Sequence, residues 1–250
     1  MRLHNVLHLS LLAAAAGTAL AATPAAAADI GGGISVGGTA TLVSDYRFRG
    51  ISQSDRRFAL QGGFTLTHDS GVYAGIWGSS IDDYVANGSD QEVDFIAGYH
   101  HTWGGTTLDF GFVYYYYPGS HGANTDFIEP YVSVAHTLGP VTAKVSANYA
   151  PSQGALTIGN GDEDNFYLAG DLSGSFGDSG FAASAHIGHS FGPSILTIGD
   201  EYTDWNVGLT YTRGPLTLGI QYVDTDATAI TPNGRNASGS GVVGSIGVSF

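Results

Sequence analysis

The stretch Gly241-Val-Val-Gly-Ser-Ile-Gly-Val-Ser-Phe250 governs how the rest of the chain is read. Successive side chains of a strand point to opposite faces. Val242, Gly244, Ile246, Val248 and Phe250 therefore share one side, and Val243, Ser245, Gly247 and Ser249 the other. The first side is apolar, the second small and largely polar, and the segment carries no charge. Left unpaired in water, such a strand invites aggregation. As the closing strand of a barrel in a bilayer it has both edges paired and its apolar face in lipid.

The opposite end agrees with export. Arg2 supplies a small positive region, Val6 to Ala22 is apolar, and Ala26-Ala27-Ala28 is a small-residue cleavage site before Asp29, with Ala22 as an alternative. Residues 1–28 are thus expected to be a removed signal peptide, leaving one domain over 29–250. No later stretch approaches the roughly 18 apolar residues of a spanning helix. The chain has no cysteine, and its 38 glycines, 14 tyrosines and 12 phenylalanines favour strands over helices. Net charge is −14, and −15 once Arg2 leaves with the leader. That balance argues against nucleic acid, which needs basic patches, and leaves cations as plausible partners.

From Gly33 onward, segments of about ten residues alternate in period two, the pattern of a transmembrane barrel. Twelve are expected: Ile34–Arg49, Arg57–His68, Val72–Ile81, Gln91–His101, Thr106–Tyr117, Asp126–Thr137, Val141–Tyr149, Asn165–Ser175, Phe181–Phe191, Tyr202–Thr212, Leu216–Val223 and Gly241–Phe250. The third is ambiguous, because Val72/Ala74/Ile76 and Tyr73/Trp77 both offer an apolar face. Short connections rich in Gly, Asp, Ser or Pro fall at 68–71, 101–105, 137–140, 177–180 and 212–215. Longer polar ones fall at 50–56, 82–90, 118–125, 150–164, 192–201 and 224–240. Short and long alternate strictly, as periplasmic turns and extracellular loops do in outer-membrane barrels. A soluble sandwich has no reason to keep that order. Both termini are then expected on the periplasmic side. Tyr46, Phe48, Tyr114, Tyr116, Tyr149, Tyr202, Trp205 and Tyr222 would form one aromatic girdle, and Tyr99, Trp103, Phe181 and Phe250 the other.

If the apolar faces meet lipid, the opposite faces line the lumen. The charged lumen candidates are Asp45, Arg47, Arg49, Arg57, Glu92, Asp94, Asp109, Glu129, Lys144, Asp171 and Asp204. Four of the eight basic residues (Arg47, Arg49, Arg56 and Arg57) sit within eleven positions. On a continuous first strand, Arg47 and Arg49 would point inward and Tyr46 and Phe48 to lipid. Two readings stay open: a positive patch facing Glu92, Asp94 and Glu129 that filters solutes, or arginines tied to wall carboxylates or to lipopolysaccharide phosphates. Strands seven and eight bring Lys144 opposite Asp171 if paired residue numbers sum to about 315.

Catalysis finds little support. His186, His189 and Ser190 share a strand, but His189 and Ser190 face opposite sides and cannot act together on one face. Loop carboxylates at Asp162-Glu-Asp164 and Asp200-Glu201 offer oxygen donors suited to Ca²⁺ or Mg²⁺ without matching a helical calcium loop. No catalytic residue, no metal site and no cofactor is assigned.

The run Thr41-Leu-Val-Ser-Asp-Tyr-Arg-Phe-Arg-Gly-Ile-Ser-Gln-Ser54 resembles the opening segment of the TorF-type porin family, bacterial outer-membrane proteins without established function. The C-terminal strand ending in Phe250 resembles the signal by which outer-membrane barrels are recognised for assembly. These resemblances imply an all-β transmembrane barrel, a pore, and the assembly machinery, outer-membrane lipid and lipopolysaccharide as partners. The expected function is passive passage of small hydrophilic solutes or ions, with a weak cation preference. The alternative is a closed, non-conducting barrel whose loops do the work.

Overall fold

The computed structural model describes residues 27–159 and 161–250. The leader expected at 1–28 lies outside them apart from Ala27 and Ala28. The strands are β1 (Ala28–Gly31), β2 (Ile34–Val43), β3 (Arg47–Phe48), β4 (Ile51–Ser52), β5 (Ala59–His68), β6 (Val72–Ser80), β7 (Gln91–Trp103), β8 (Thr106–Tyr116), β9 (Phe127–Leu138), β10 (Val141–Ile158), β11 (Gly161–Ser175), β12 (Phe181–Phe191), β13 (Tyr202–Arg213), β14 (Leu216–Thr225) and β15 (Gly241–Ser249).

Twelve of them, β2 and β5 to β15, form one antiparallel barrel in which each strand pairs with its neighbours in the chain. The wall closes where β15 meets β2, from Ser245 opposite Val43 to Ser249 opposite Thr39. Beyond the last strand, the Phe250 amide donates to the Gly38 carbonyl (3.0 Å) and the Gly38 amide to the Phe250 carbonyl (2.7 Å). The Phe250 ring packs against this spot: a Cβ on Gly38 would stand 2.6 Å from ring atom Cε2. Only glycine leaves room for that final contact.

Period-two patterning sorts the two faces. Leu60, Phe64 and Leu66 on β5, Phe110 and Phe112 on β8, and Leu218 and Ile220 on β14 all point outward and are exposed. On the same strands Ala59, Thr107, Asp109, Val113 and Val223 are buried inside. A surface so apolar is unstable in water and stable against hydrocarbon. The ambiguous third strand resolves with Tyr73 buried and Val72 and Ile76 exposed. No helix among the described residues is long and apolar enough to cross a membrane, which says nothing about strands.

Most strand ends fall within two residues of the expected ones, β1 was not expected, and the larger differences lie between the first two barrel strands and at 150–164. The first strand stops at Val43 instead of Arg49, and the second starts at Ala59 instead of Arg57. The residues between fold back as the separate β3–β4 hairpin. The loop expected at 150–164 is instead a continuation of β10 and β11, paired as far as Gln153 with Glu163 and Ile158 with Gly161 through two register shifts. Those bulges absorb extra residues without ending the pairing, which is why Pro151-Ser-Gln-Gly154 reads as a loop by composition. Tyr46 and Tyr202 leave the expected girdle and are buried within the barrel, whereas Tyr114, Tyr116, Tyr149, Tyr222, Trp103, Phe181 and Phe250 are exposed.

Candidate functional site

The β3–β4 hairpin occupies the interior of the barrel at its loop end. Arg47 pairs with Ser52 and Phe48 with Ile51, so Arg49-Gly50 is a two-residue turn. Both turn residues have positive φ, 46° at Arg49 and 82° at Gly50, as a type I′ hairpin turn requires. Glycine suits this conformation; arginine there carries strain of about 1 kcal/mol. The turn projects Arg49 to the far wall. Its Nη2 donates to Glu129 Oε1 on β9 (2.6 Å) and its Nη1 to Asn165 Oδ1 on β11 (3.0 Å). The guanidinium carbon lies 4.1 Å above the Tyr167 ring and 4.8 Å from that of Phe48. Going round the wall from β2, β9 and β11 are each five strands away, in opposite directions, so the hairpin crosses the whole lumen.

Other contacts hold the base of the hairpin. Arg47 donates through Nε to Asp45 Oδ2 (2.6 Å) and through Nη1 to the carbonyls of Gly50 (2.9 Å), Ala237 (3.0 Å) and Gly239 (3.0 Å). Ser52 donates its hydroxyl to Asp45 Oδ1 (2.6 Å) and its amide to the Ala237 carbonyl (2.9 Å). Asp55, 1% exposed, receives Asn233 Nδ2 (2.7 Å) and lies 3.3 Å from Arg235. Ile51 packs with Tyr202, Ala229 and Ala237. Tyr84 caps the hairpin by donating to the Ser52 carbonyl; burial pushes its hydroxyl up to about 12, so it remains a donor. The loop that carries Tyr84 and the loop over residues 229–239 thus converge on residues 45–57.

Beneath the hairpin, carboxylates dominate. Glu92, Asp94, Asp109, Glu129 and Asp204 are buried on the inner face. Tyr46 donates to Glu92 (2.8 Å), and Tyr115 (3.3 Å) and Asn148 (3.2 Å) donate to Glu129. Asp94 is fully buried, with neither carboxylate oxygen hydrogen-bonded among the described residues. A second network sits deeper. Lys144 and Asp171 are partners in the β10–β11 ladder, their numbers summing to 315, with Nζ 3.3 Å from Oδ2. His186 lies between two acids, Nδ1 2.7 Å from Asp171 and Nε2 3.3 Å from Asp204. Tyr167 donates to Asp204 (2.9 Å) and lies 2.9 Å from His186 Nε2. Gly188 makes this possible, because any Cβ there would collide with the Tyr167 hydroxyl.

Ten of the eleven charged residues named from the sequence face the interior. Arg57 does not: it lies outside the barrel strands with its side chain 61% exposed, pairing with Asp82 at the rim. Its expected lumen position fails because β5 begins only at Ala59. Arg47 and Arg49 reach the interior, but from the hairpin and not from a continuous first strand, and Tyr46 and Phe48 accompany them inward instead of meeting lipid. The reading in which arginines tie to wall carboxylates describes Arg49. Asp55, Asn165 and Tyr167 were missed. Nothing in period-two patterning marks Asp55, whereas Asn165 and Tyr167 were legible as inward positions of their strand but carried no charge. His189 and Ser190 do face apart, His189 beside Thr203 (2.9 Å) and Ser190 against Asn165 (3.1 Å). No group of three or more His, Asp or Glu suited to a metal ion occurs among the described residues. In the loops, Asp162 accepts from Thr157 and Asp164 from Tyr149.

Residues 25–247 match a family model described as "Bacterial protein of unknown function (Gcw_chp)". The search of curated proteins finds no match. Among solved structures, the fold is similar to the NanC porin in a rhombohedral crystal form, at 13% identity over 86% of this chain and 98% of that one, with a TM-score of 0.58. It is also similar to the KdgM porin in complex with disordered oligogalacturonate, at 9% identity over 86% and 97%, with a TM-score of 0.55. These likenesses establish a porin-type barrel fold.

Proposed function

The chain belongs to the Gcw_chp family of bacterial proteins, and from that starting point we propose that it is an outer-membrane channel for small hydrophilic solutes or ions, with a weak preference for cations. Kinship with TorF-type porins is part of the same proposal and rests on Thr41–Ser54. A periplasmic location for both termini, removal of residues 1–28, and contacts with outer-membrane lipid, lipopolysaccharide and the assembly machinery that reads Phe250 belong to the proposal too. The proposal assigns the barrel no catalytic role.

The acidity of the inner face carries the reading. With Arg57 at the rim, the interior candidates are seven acids (Asp45, Glu92, Asp94, Asp109, Glu129, Asp171 and Asp204) against three bases (Arg47, Arg49 and Lys144). Charges lining a pore set the sign of the ions it favours. Twelve strands enclose a lumen between the filled eight-stranded barrels and the open channels of sixteen or more, so an internal hairpin is enough to control access. The KdgM structure holds an oligogalacturonate, a polyanion; an interior with surplus carboxylates suits the opposite sign.

A second reading, a closed barrel acting through its loops, is favoured by the hairpin itself, since Arg47 and Arg49 are buried across the lumen. Bilayer recordings from refolded, heat-modifiable protein separate the two. Resolvable openings are expected; a correctly folded barrel that never opens would establish the closed form.

A further inference from the structure

The seat of Arg49 has the composition of a recognition site. Three wall residues on two strands hold the guanidinium: Glu129 by a charge-assisted hydrogen bond, Asn165 by its side-chain carbonyl, and Tyr167 by its ring face. Glu129 and Asn165 are fully buried, so the donors and acceptors are preorganised and dry. Charge-assisted bonds and cation–π contacts are strongest under those conditions. What fills the seat is less firmly attached than the seat. Arg49 stands at the tip of a two-residue turn in a left-handed conformation that costs an L-residue free energy. The wall also holds a carboxyl that Arg49 does not satisfy: Asp94, 0% exposed and facing inward, has neither oxygen hydrogen-bonded among the described residues.

We infer that the Glu129–Asn165–Tyr167 seat is a binding site for the guanidinium group of a cationic solute, and that Arg49 occupies it as a tethered stand-in for that solute. A solute with this group competes with the hairpin tip for the same carboxylate, amide and ring. Displacing Arg49 removes the hairpin's longest contact across the lumen, so occupancy by the solute and loosening of the hairpin are coupled. The planar fork matters: a guanidinium donates to Glu129 and Asn165 simultaneously while stacking on Tyr167, which a quaternary ammonium cannot do. This inference deepens the channel reading by naming the class of solute, although the seat itself does not depend on conduction.

The test uses Arg49→Asn, since Asn tolerates the left-handed turn but lacks the guanidinium. Full-length protein is refolded and reconstituted in planar bilayers, with guanidinium chloride at millimolar concentration as the probe and tetramethylammonium chloride as its control. The variant is expected to show larger or more frequent openings than the parent. Guanidinium should block the variant saturably, and tetramethylammonium should not. Adding Glu129→Gln should weaken that block about tenfold or more, the equivalent of losing one charge-assisted hydrogen bond. Indifference of the Arg49→Asn channel to guanidinium, or equal block by both cations, overturns the inference. If neither protein conducts, the channel reading fails on its own, and calorimetric titration of guanidinium into detergent-solubilised Arg49→Asn barrel decides the site. Saturable heat that Glu129→Gln removes supports the site, and the absence of such heat overturns it.

Discussion

Replacing Arg49 by Asn should loosen the lumenal hairpin by an amount that follows from its contacts. The change strands Glu129, which has no exposed surface, without its cation. Removing one member of a buried ion pair costs about 3–5 kcal/mol. Relief of left-handed strain at position 49 returns about 1 kcal/mol, because Asn accepts that conformation. The net loss for the docked hairpin is therefore about 2–4 kcal/mol. Amide hydrogen exchange in lipid nanodiscs reads this quantity directly, through the Ser52 amide bonded to the Ala237 carbonyl (2.9 Å) and the Gln53 amide bonded to the Tyr46 carbonyl (2.7 Å). At about 1.4 kcal/mol per factor of ten, their exchange should quicken on the order of 10²-fold, while amides in the β10–β11 ladder keep parent rates. Glu129→Gln alone should have an effect of the same order, because it strands Arg49. The double variant should lose less than the two single effects combined, with a coupling of about 1–3 kcal/mol. Unchanged exchange at Ser52 and Gln53 in Arg49→Asn, or strict additivity in the cycle, would refute the claim that this one contact holds the hairpin across the lumen.

Three further outcomes are expected. Trypsin should cleave the parent at the exposed Arg56–Arg57 pair while sparing Arg47, which is 2% exposed; in Arg49→Asn, cleavage after Arg47 should appear, as mass spectrometry of the fragments would show. Gly38→Ala places a methyl 2.6 Å from the Phe250 ring and should cut the heat-modifiable, membrane-inserted fraction, as should Phe250→Ala; a normal yield from both would remove the closing role assigned to that ring. Tyr84→Phe deletes the strut onto the Ser52 carbonyl and should accelerate exchange at Gln53 by about three- to tenfold, one hydrogen bond being worth about 1 kcal/mol, whereas no change would show that loops at the rim do not brace the hairpin.

The barrel was legible because lipid on one side and polar side chains on the other impose a period-two code on nearly every strand. Counting short and long connections then settled the strand number without reference to any single residue. Lys144 and Asp171 were reached only through an assumed register, paired numbers summing to about 315 across an expected long loop, and the β10–β11 ladder has that register. The hairpin was not legible. Alternation of Asp45, Arg47 and Arg49 with Tyr46 and Phe48 is what a membrane strand shows, and period two does not distinguish a wall strand from a hairpin folded inside it. The signals against a continuous strand were Arg49-Gly50, a two-residue turn, and the concentration of arginine in an acidic chain. Such charges settle where buried carboxylates can receive them, here Glu129, eighty positions away. The extended β10–β11 hairpin was hidden for a different reason: proline and glycine usually end strands, but bulges carry the pairing through them.

The central proposal is that an acidic interior gives this barrel, as a channel, a weak preference for cations. It is tested most directly by the reversal potential of single channels in a potassium chloride gradient, where the two ions have nearly equal mobility in water. The sign expected is the one that marks potassium as the more permeant ion, with Asp94→Asn and Glu129→Gln each moving the value towards zero. A reversal potential favouring chloride would contradict the account.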